Sequence, residues 1–149
     1  NNKTTPLVMK KNQILLVEDN EGDIVLTSEA FEECSCKANI QVARNGKEAI
    51  NILFDQNEDA QLPDLILLDI NLPLLNGHEV LKKIKENERT RHIPVAILTT
   101  SSAISDINLT YENYANCFIT KPADINDFFE TINALSNYWF NICKLPSKK

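Results

Sequence analysis

Leu65-Ile-Leu-Leu-Asp69-Ile-Asn71-Leu-Pro73 is an aliphatic run that ends abruptly on a carboxylate and is followed by the turn pair Asn76-Gly77. Four consecutive aliphatic side chains with no polar alternation fit a strand covered on both faces, as in the interior of a parallel sheet. Asp69 then stands at the carboxyl end of that strand, on the edge where open α/β sheets collect their ligands.

The pattern repeats on either side. Ile14-Leu-Leu-Val17 reads as a strand ending on Glu18-Asp19, and residues 40–43 as a short second strand. Pro94-Val-Ala-Ile-Leu98 runs into Thr99-Thr100-Ser101-Ser102, and Cys117-Phe-Ile-Thr120 into Lys121-Pro122. Between these runs the apolar spacing turns helical. Ile24, Val25, Leu26, Ala30, Phe31 and Cys34 form one face; Ala49, Ile52 and Leu53 follow Asn45-Gly46; Val80, Leu81 and Ile84 follow Asn76-Gly77. A fourth helix is expected from Ile104 to Asn113, with the preceding hydroxyls free to cap it. The last is expected from an Asp124 cap through Ile125, Phe128, Phe129, Ile132, Leu135, Trp139 and Ile142 to about Cys143. Alternating strands and helices with right-handed crossovers give a doubly wound, three-layer α/β sandwich on a parallel five-stranded sheet. One domain is expected over residues 13–143, with a loose tail over 1–12, a polar loop over 55–63 and a short tail over 144–149.

Composition narrows the function. The chain has 149 residues, 43% hydrophobic and 24% charged, with a formal net charge of −6. The acidic balance argues against a nucleic-acid binder, which needs clustered Lys and Arg. Lys82, Lys83 and Lys85 read as a solvated helix face. No apolar run reaches the roughly 20 residues of a membrane span and the first dozen residues lack a signal-peptide core, so a cytoplasmic protein without membrane contact is expected. Cys34, Cys36, Cys117 and Cys143 have neither framework nor zinc-ligand spacing and read as reduced thiols. His78 and His92 read as solvated.

Chemistry gathers at the strand ends. In a parallel sheet Glu18, Asp19, Asp69, Thr99 and Lys121 fall on one edge although over a hundred residues separate the first from the last. Carboxylates brought together repel one another unless a counter-charge is supplied. A hard divalent cation such as Mg2+ suits oxygen donors of this kind. Beside it Asp69 has the chemistry of a nucleophile toward phosphorus, Lys121 could neutralise phosphoryl oxygens, and Thr99 could donate a hydroxyl.

Four motifs standing in order and spacing, Leu-Leu-Val-Glu18-Asp19-Asn, Leu-Leu-Asp69-Ile-Asn71-Leu-Pro73, Leu-Thr99-Thr100-Ser101 and Phe118-Ile-Thr-Lys121-Pro122, make the chain resemble the receiver domain of two-component response regulators from about Gln13 to Trp139. The resemblance implies the flavodoxin-like strand order 2-1-3-4-5. It also implies phosphorylation of Asp69 by a sensor histidine kinase in a phosphorelay, with Mg2+ (or Mn2+) held by Asp19, Asp69 and the Asn71 carbonyl, and by Glu18 through water. Thr99 and Phe118 would be switch residues, Phe118 lacking the hydroxyl of the Tyr often found there. Thr100 is bulkier than usual beside the site. Lys121 would pair with the phosphoryl group, and Lys121-Pro122 would be cis. The carboxyl-terminal segment is similar to single-domain regulators that partner bacterial phytochrome kinases, which implies a homodimer through the fourth helix, fifth strand and fifth helix. Tyr138, Trp139 and Phe140 are expected at that contact, because one helix cannot bury three adjacent aromatics against its own sheet.

A magnesium-dependent phosphatase of the haloacid-dehalogenase type is the competing reading, since it too uses a strand-end Asp, a Thr or Ser, and then a Lys. Its general acid two residues after the nucleophile is here Asn71, which cannot serve. A receiver-like binding module without phosphorylation is a third reading, disfavoured by the full acidic set.

Overall fold

The computed structural model describes residues 12–34, 36–55 and 61–146. The elements run β1 (Asn12–Val17), α1 (Glu21–Glu33), β2 (Ala38–Ala43), α2 (Gly46–Leu53), β3 (Leu65–Leu68), α3 (Gly77–Glu86), β4 (Val95–Thr99), α4 (Ile104–Glu112), β5 (Cys117–Thr120) and α5 (Ile125–Asn137). All strand pairs are parallel, in the order β2-β1-β3-β4-β5. The expected amino-terminal tail is one residue too long. Asn12 donates its N–H to the Lys37 carbonyl and pairs with Ala38, so the sheet's backbone bonding starts before the apolar run does. Residues 1–11 of that tail and 56–60 of the expected loop lie outside the described residues.

The strand interiors account for two cores, one on each face of the sheet. Leu15, Val17, Ile66 and Leu68 pack with Ala49, Leu53, Val80, Leu81 and Ile84 of α2 and α3. Ile14, Leu16, Leu65 and Leu67 pack with Ile24, Phe31, Phe128 and Ile132 of α1 and α5. Alternate residues of one strand thus serve opposite layers, and each side chain fully buried this way stabilises by roughly 1.5–3 kcal/mol.

Helix starts share one chemistry. Asn20, Asn45, Asn76 and Asp124 each accept a hydrogen bond from the backbone N–H three residues on, at Asp23, Glu48, Glu79 and Asp127. Such caps contribute about 1 kcal/mol each and fix where each helix leaves the functional edge. The exception is α4. It starts at Ala103 with no side-chain cap, against the expectation of hydroxyl capping, because Ser101 is engaged elsewhere: its hydroxyl donates to Asp106 and accepts from the Ala103 N–H.

Three surface expectations change. Lys85 is not solvated like Lys82 and Lys83: it is half-buried, donates to the carbonyls of Arg91 and Ile93 at 3.0 and 2.8 Å, and burial lowers its ammonium to about 8. His78 is largely buried and bonded to Asp106. After α5 the chain widens into a π-turn over Tyr138–Ile142, closed by the Cys143 N–H donating to the Tyr138 carbonyl at 2.8 Å. The wider turn advances each residue through a smaller angle, so Trp139 and Phe140 both reach the α1–α5 core while Tyr138 stays half exposed against the Trp139 edge. Two of the three adjacent aromatics are therefore accommodated within the chain.

The end of α4 carries a strained residue. Tyr114 has φ 68°, its N–H donates to the Tyr111 carbonyl, and the Ala115 N–H donates to the Thr110 carbonyl. This pair of bonds is the Schellman closure, which normally places glycine in the left-handed position. A tyrosine there works against the steric preference of about 1–2 kcal/mol for right-handed backbone. Replacing Tyr114, whose ring is 76% exposed, by glycine is expected to raise the unfolding free energy by about 1 kcal/mol in urea titrations, with an unchanged denaturant slope.

Candidate functional site

Glu18, Asp69 and Lys121 each lie just beyond a strand and are held in register by a backbone bond to the neighbouring strand. The Glu18 N–H donates to the Ala43 carbonyl at 2.9 Å, the Asp69 N–H to Val17 at 3.0 Å, and the Lys121 N–H to Thr99 at 2.7 Å. The sheet ladder therefore continues one residue past the apolar runs, and that residue is the one with chemistry. From the other side α3 presses on the same place. Gly77 donates to the Ile70 carbonyl at 3.0 Å, and a Cβ at Gly77 would stand 2.3 Å from the Asp69 carbonyl oxygen and 2.4 Å from the Ile70 Cα. Only glycine permits that approach.

The side chains of Glu18, Asp19, Asp69 and Lys121 come together. The Lys121 ammonium, its side chain 5% exposed, donates to Glu18 Oε1, to Asp69 Oδ2 at 3.0 Å and to Asp23 Oδ2 at 2.8 Å. Asp69 is held at its other oxygen by the Asn71 N–H, which donates to Oδ1 at 3.0 Å. Glu18 and Asp69 are buried, whereas Asp19 is exposed. Carboxylate oxygens of Glu18, Asp19 and Asp69 lie within 4.8 Å of one another.

Electrostatics follow from the excess of acid. Burial pushes the Glu18 carboxyl up to about 7, outweighing its hydrogen bond from Lys121, with the neighbouring Asp69 charge adding to the rise. For Lys121 burial alone would lower the ammonium, but the bonds to Asp23 and Glu18 and the charges of Asp69 and Glu18 prevail and raise it. One permanent cation thus serves several carboxylates, and the oxygen-only trio offers a second positive ion a place.

Thr99 is fully buried at the end of β4, its Oγ1 accepting from the Ser101 N–H at 3.5 Å. Phe118 is half-buried and packs on the α2–α3 side of the sheet, outside the cluster of acids; its N–H donates to the Tyr111 hydroxyl of α4 at 3.2 Å. Thr100 is exposed and, with Asp23, Lys121, Pro122 and Phe128, lines a cleft of about 400 Å³ between α1 and the start of α5. The Lys121–Pro122 bond is trans, since no peptide among the described residues is cis; the expectation of a cis bond is not met, in keeping with the intrinsic trans preference of about 0.5–1 kcal/mol.

Two parts of the site escaped the sequence reading. Asp23, in the first turn of α1, is a third carboxylate on Lys121. Its place in the first turn of the helix that directly follows the Glu18-Asp19 strand end was the available signal. The second is a chain of bonds across the mouth: His78 Nε2 to Asp106 Oδ1 at 2.9 Å and the Ser101 hydroxyl to Asp106 Oδ2 at 2.7 Å, tying α3, α4 and the segment after Thr99. The His78 Nδ1 is buried without a hydrogen-bond partner.

Fold and site together define a doubly wound α/β protein whose strand-end acids suit a divalent cation and whose lysine suits an anion beside it. The sequence model of the response regulator receiver domain matches residues 14–133. The probable methanogenesis regulatory protein FilR2 of Methanothrix harundinacea (strain 6Ac) is 39% identical over 89% of this chain and 86% of its own. Response regulator Rcp1 of Synechocystis sp. is 37% identical over 90% of this chain and 92% of its own, and the structure of its Mn2+-bound form superposes with a TM-score of 0.86, at 36% identity over 91% of this chain and 99% of that one. The phosphorylated cyanobacterial phytochrome response regulator RcpA superposes with a TM-score of 0.88 at 38% identity, over 93% of this chain and all of that one. The chain belongs to the response regulator receiver family. Receivers are phosphoacceptors in two-component signalling, and membership of that family decides against the phosphatase reading. No helix among the described residues is long and apolar enough to cross a membrane.

The Asp106 tie has a definite pH window. Hydrogen bonds from Ser101 and then from His78 hold the Asp106 carboxyl below the ordinary aspartate range. A depressed carboxylate adds stability above its unfolded pKa and loses it as pH falls through the folded value. Amide protection at the start of α4, taken relative to the intrinsic exchange rate at each pH, is therefore expected to hold at neutral pH and to fall only below the usual aspartate range, near pH 4. Asp106→Asn should remove most of that acid dependence.

Proposed function

We propose that Asp69 accepts a phosphoryl group from the phosphohistidine of a sensor kinase. Its carboxylate oxygen attacks phosphorus, the O–P bond forms, the P–N bond breaks, and the electron pair returns to the kinase imidazole. The observation that carries this reading is the double hold on Asp69, by the Asn71 N–H at one oxygen and Lys121 at the other, which leaves a buried carboxylate oriented and facing a fixed ammonium. Lys121 then neutralises charge on the transferred group, and Thr99, at the end of β4, donates its hydroxyl to it. As Thr99 shifts, Phe118 turns into the space behind it, and release of its N–H from Tyr111 couples that motion to α4. Thr100 restricts access to the cleft, and Pro122 sets the path of the chain after Lys121.

The cation we assign to the site is Mg2+, with Mn2+ able to replace it as in the Mn2+-bound form of Rcp1. Glu18, Asp19, Asp69 and the Asn71 carbonyl would hold it, and when bound it supplies charge neutralisation for the phosphoryl oxygens. The same arrangement would support self-phosphorylation from small phosphodonors and slow autodephosphorylation. Resemblance to the phytochrome response regulator RcpA supports a phytochrome histidine kinase as the donor, and the cytoplasm is the place of action we assign.

With Mg2+ and acetyl phosphate the chain should take up one acid-stable, base-labile phosphoryl group, lost in Asp69→Asn; sustained turnover of phosphomonoesters would sink the reading. In unfolding titrations, cation at about 100 times its dissociation constant should add about 2.7 kcal/mol, and Asp19→Asn should remove most of this.

A homodimer through α4, β5 and α5 is the arrangement we favour for this chain. Ile104 and Tyr111 on α4, Tyr114 just after it, and Tyr138 and Ile142 in the π-turn after α5 leave apolar surface exposed, although Trp139 and Phe140 turn inward. Light scattering should give a dimer that Tyr138→Ser weakens. A monomer at high concentration, with and without phosphoryl label, would overturn it.

A further inference from the structure

The three N–H groups of the Lys121 ammonium are matched by three carboxylates, Glu18, Asp69 and Asp23. Glu18 and Asp69 belong to the trio that can gather around a cation, but Asp23 does not. It sits in the first turn of α1 with its backbone secured at both ends. Its N–H donates to Asn20 Oδ1 at 2.9 Å, and its carbonyl accepts from the hydroxyl of the buried Thr27 at 2.7 Å. The carboxylate is thus presented from a rigid helix start rather than a loop. Its side chain is 27% exposed against 5% for Lys121, so the pair is only partly screened by solvent.

Counting charges sets the direction of its effect. Glu18, Asp19, Asp23 and Asp69 outnumber Lys121 and one divalent cation together by a single negative charge. A phosphoryl group on Asp69 adds further negative charge and needs an N–H of Lys121 for itself. Glu18 and Asp69 have the cation as an alternative partner; Asp23 has Lys121.

We propose that Asp23 is a positioning residue that competes with a phosphoryl group on Asp69 for the Lys121 ammonium, and so sets how readily that group is accommodated. The proposal rests on Asp69 being the acceptor. It treats the α1 carboxylate as a restraint: the ammonium is held toward α1 in the resting protein and has to be surrendered when the phosphoryl group arrives. The side chain acts through Lys121 and touches no reacting atom.

Beryllofluoride, a phosphoryl mimic, tests this in the full chain with Mg2+ present, its affinity read from amide NMR shifts around Asp69. Asp23→Asn is expected to tighten binding by roughly three- to tenfold, the size of one ordinary net hydrogen bond reassigned. In the Lys121→Met background the same substitution is expected to change nothing. An equal gain in both backgrounds would mean through-space repulsion and would overturn the proposal, as would no gain in either. If Lys121→Met proves unfolded or binds too weakly to measure, salt decides. A contact with a 5% exposed ammonium keeps its effect between low and high ionic strength, whereas long-range repulsion fades. Wild-type protein that takes neither beryllofluoride nor phosphoryl label would refute the acceptor reading itself, an outcome distinct from a wild type that binds and an Asp23→Asn variant that binds no better.

Discussion

One ammonium shared among carboxylates from β1, α1 and β3 organises the functional edge of this molecule. Removing Lys121 would leave Glu18 and Asp69 buried with no cation beside them, and an unpaired buried charge costs several kcal/mol. The lysine's backbone is fixed at that edge, because the Lys121 N–H is tied to the Thr99 carbonyl at the limit of the β4–β5 pairing. The position of a charge on β5 therefore depends on the register of the sheet, and the register depends on which strand residues are apolar.

That dependence explains why so much was legible in the amino-acid order. Leu65 to Leu68, Ile14 to Val17 and Val95 to Leu98 are apolar on both faces, so their strand ends could be located to within a residue, and with them Glu18, Asp69 and Thr99, while Lys121 follows the shorter Cys117–Thr120 run. Helix starts were equally readable where an Asn or Asp stands three residues before a free N–H. What escaped detection was tertiary. Lys85 and Lys83 look alike in a linear sequence, and only the folded loop brings the Arg91 and Ile93 carbonyls to one of them. His78 meets Asp106 from a different helix, and Asp23 faces Lys121 across 98 residues. Trp139 and Phe140 turn inward together because the helix widens, which no 3.6-residue periodicity anticipates.

The site also sets two demands against each other. Glu18 is buried among like charges, and its carboxyl is raised to about 7. A carboxyl raised in the native state holds a proton that the unfolded chain gives up, so its contribution to stability falls as pH rises from the ordinary glutamate range toward 7. An apolar residue at that place would relieve the strain and remove an oxygen donor from the trio with Asp19 and Asp69. Stability given up at a strand end and retained in the two apolar layers is the usual distribution for a protein whose site must bind an ion.

A change at Asp69 has a route to the surface through hydrogen bonds that start at Thr99. Ser101 takes a backbone bond to Thr99 Oγ1 and gives its hydroxyl to Asp106, which holds His78. Thr99 thus lies two bonds from the start of α4 and three from α3, while Phe118 is joined to α4 through Tyr111. Helix α4 buries only Thr110 and has no side-chain cap, so little apolar burial opposes its displacement. An element held mainly by directed polar bonds has discrete alternatives, whereas α1 and α5, embedded in the core, do not. A shift of Thr99 toward a new oxygen on Asp69 would strain both tethers at once, and α4 is the element positioned to yield.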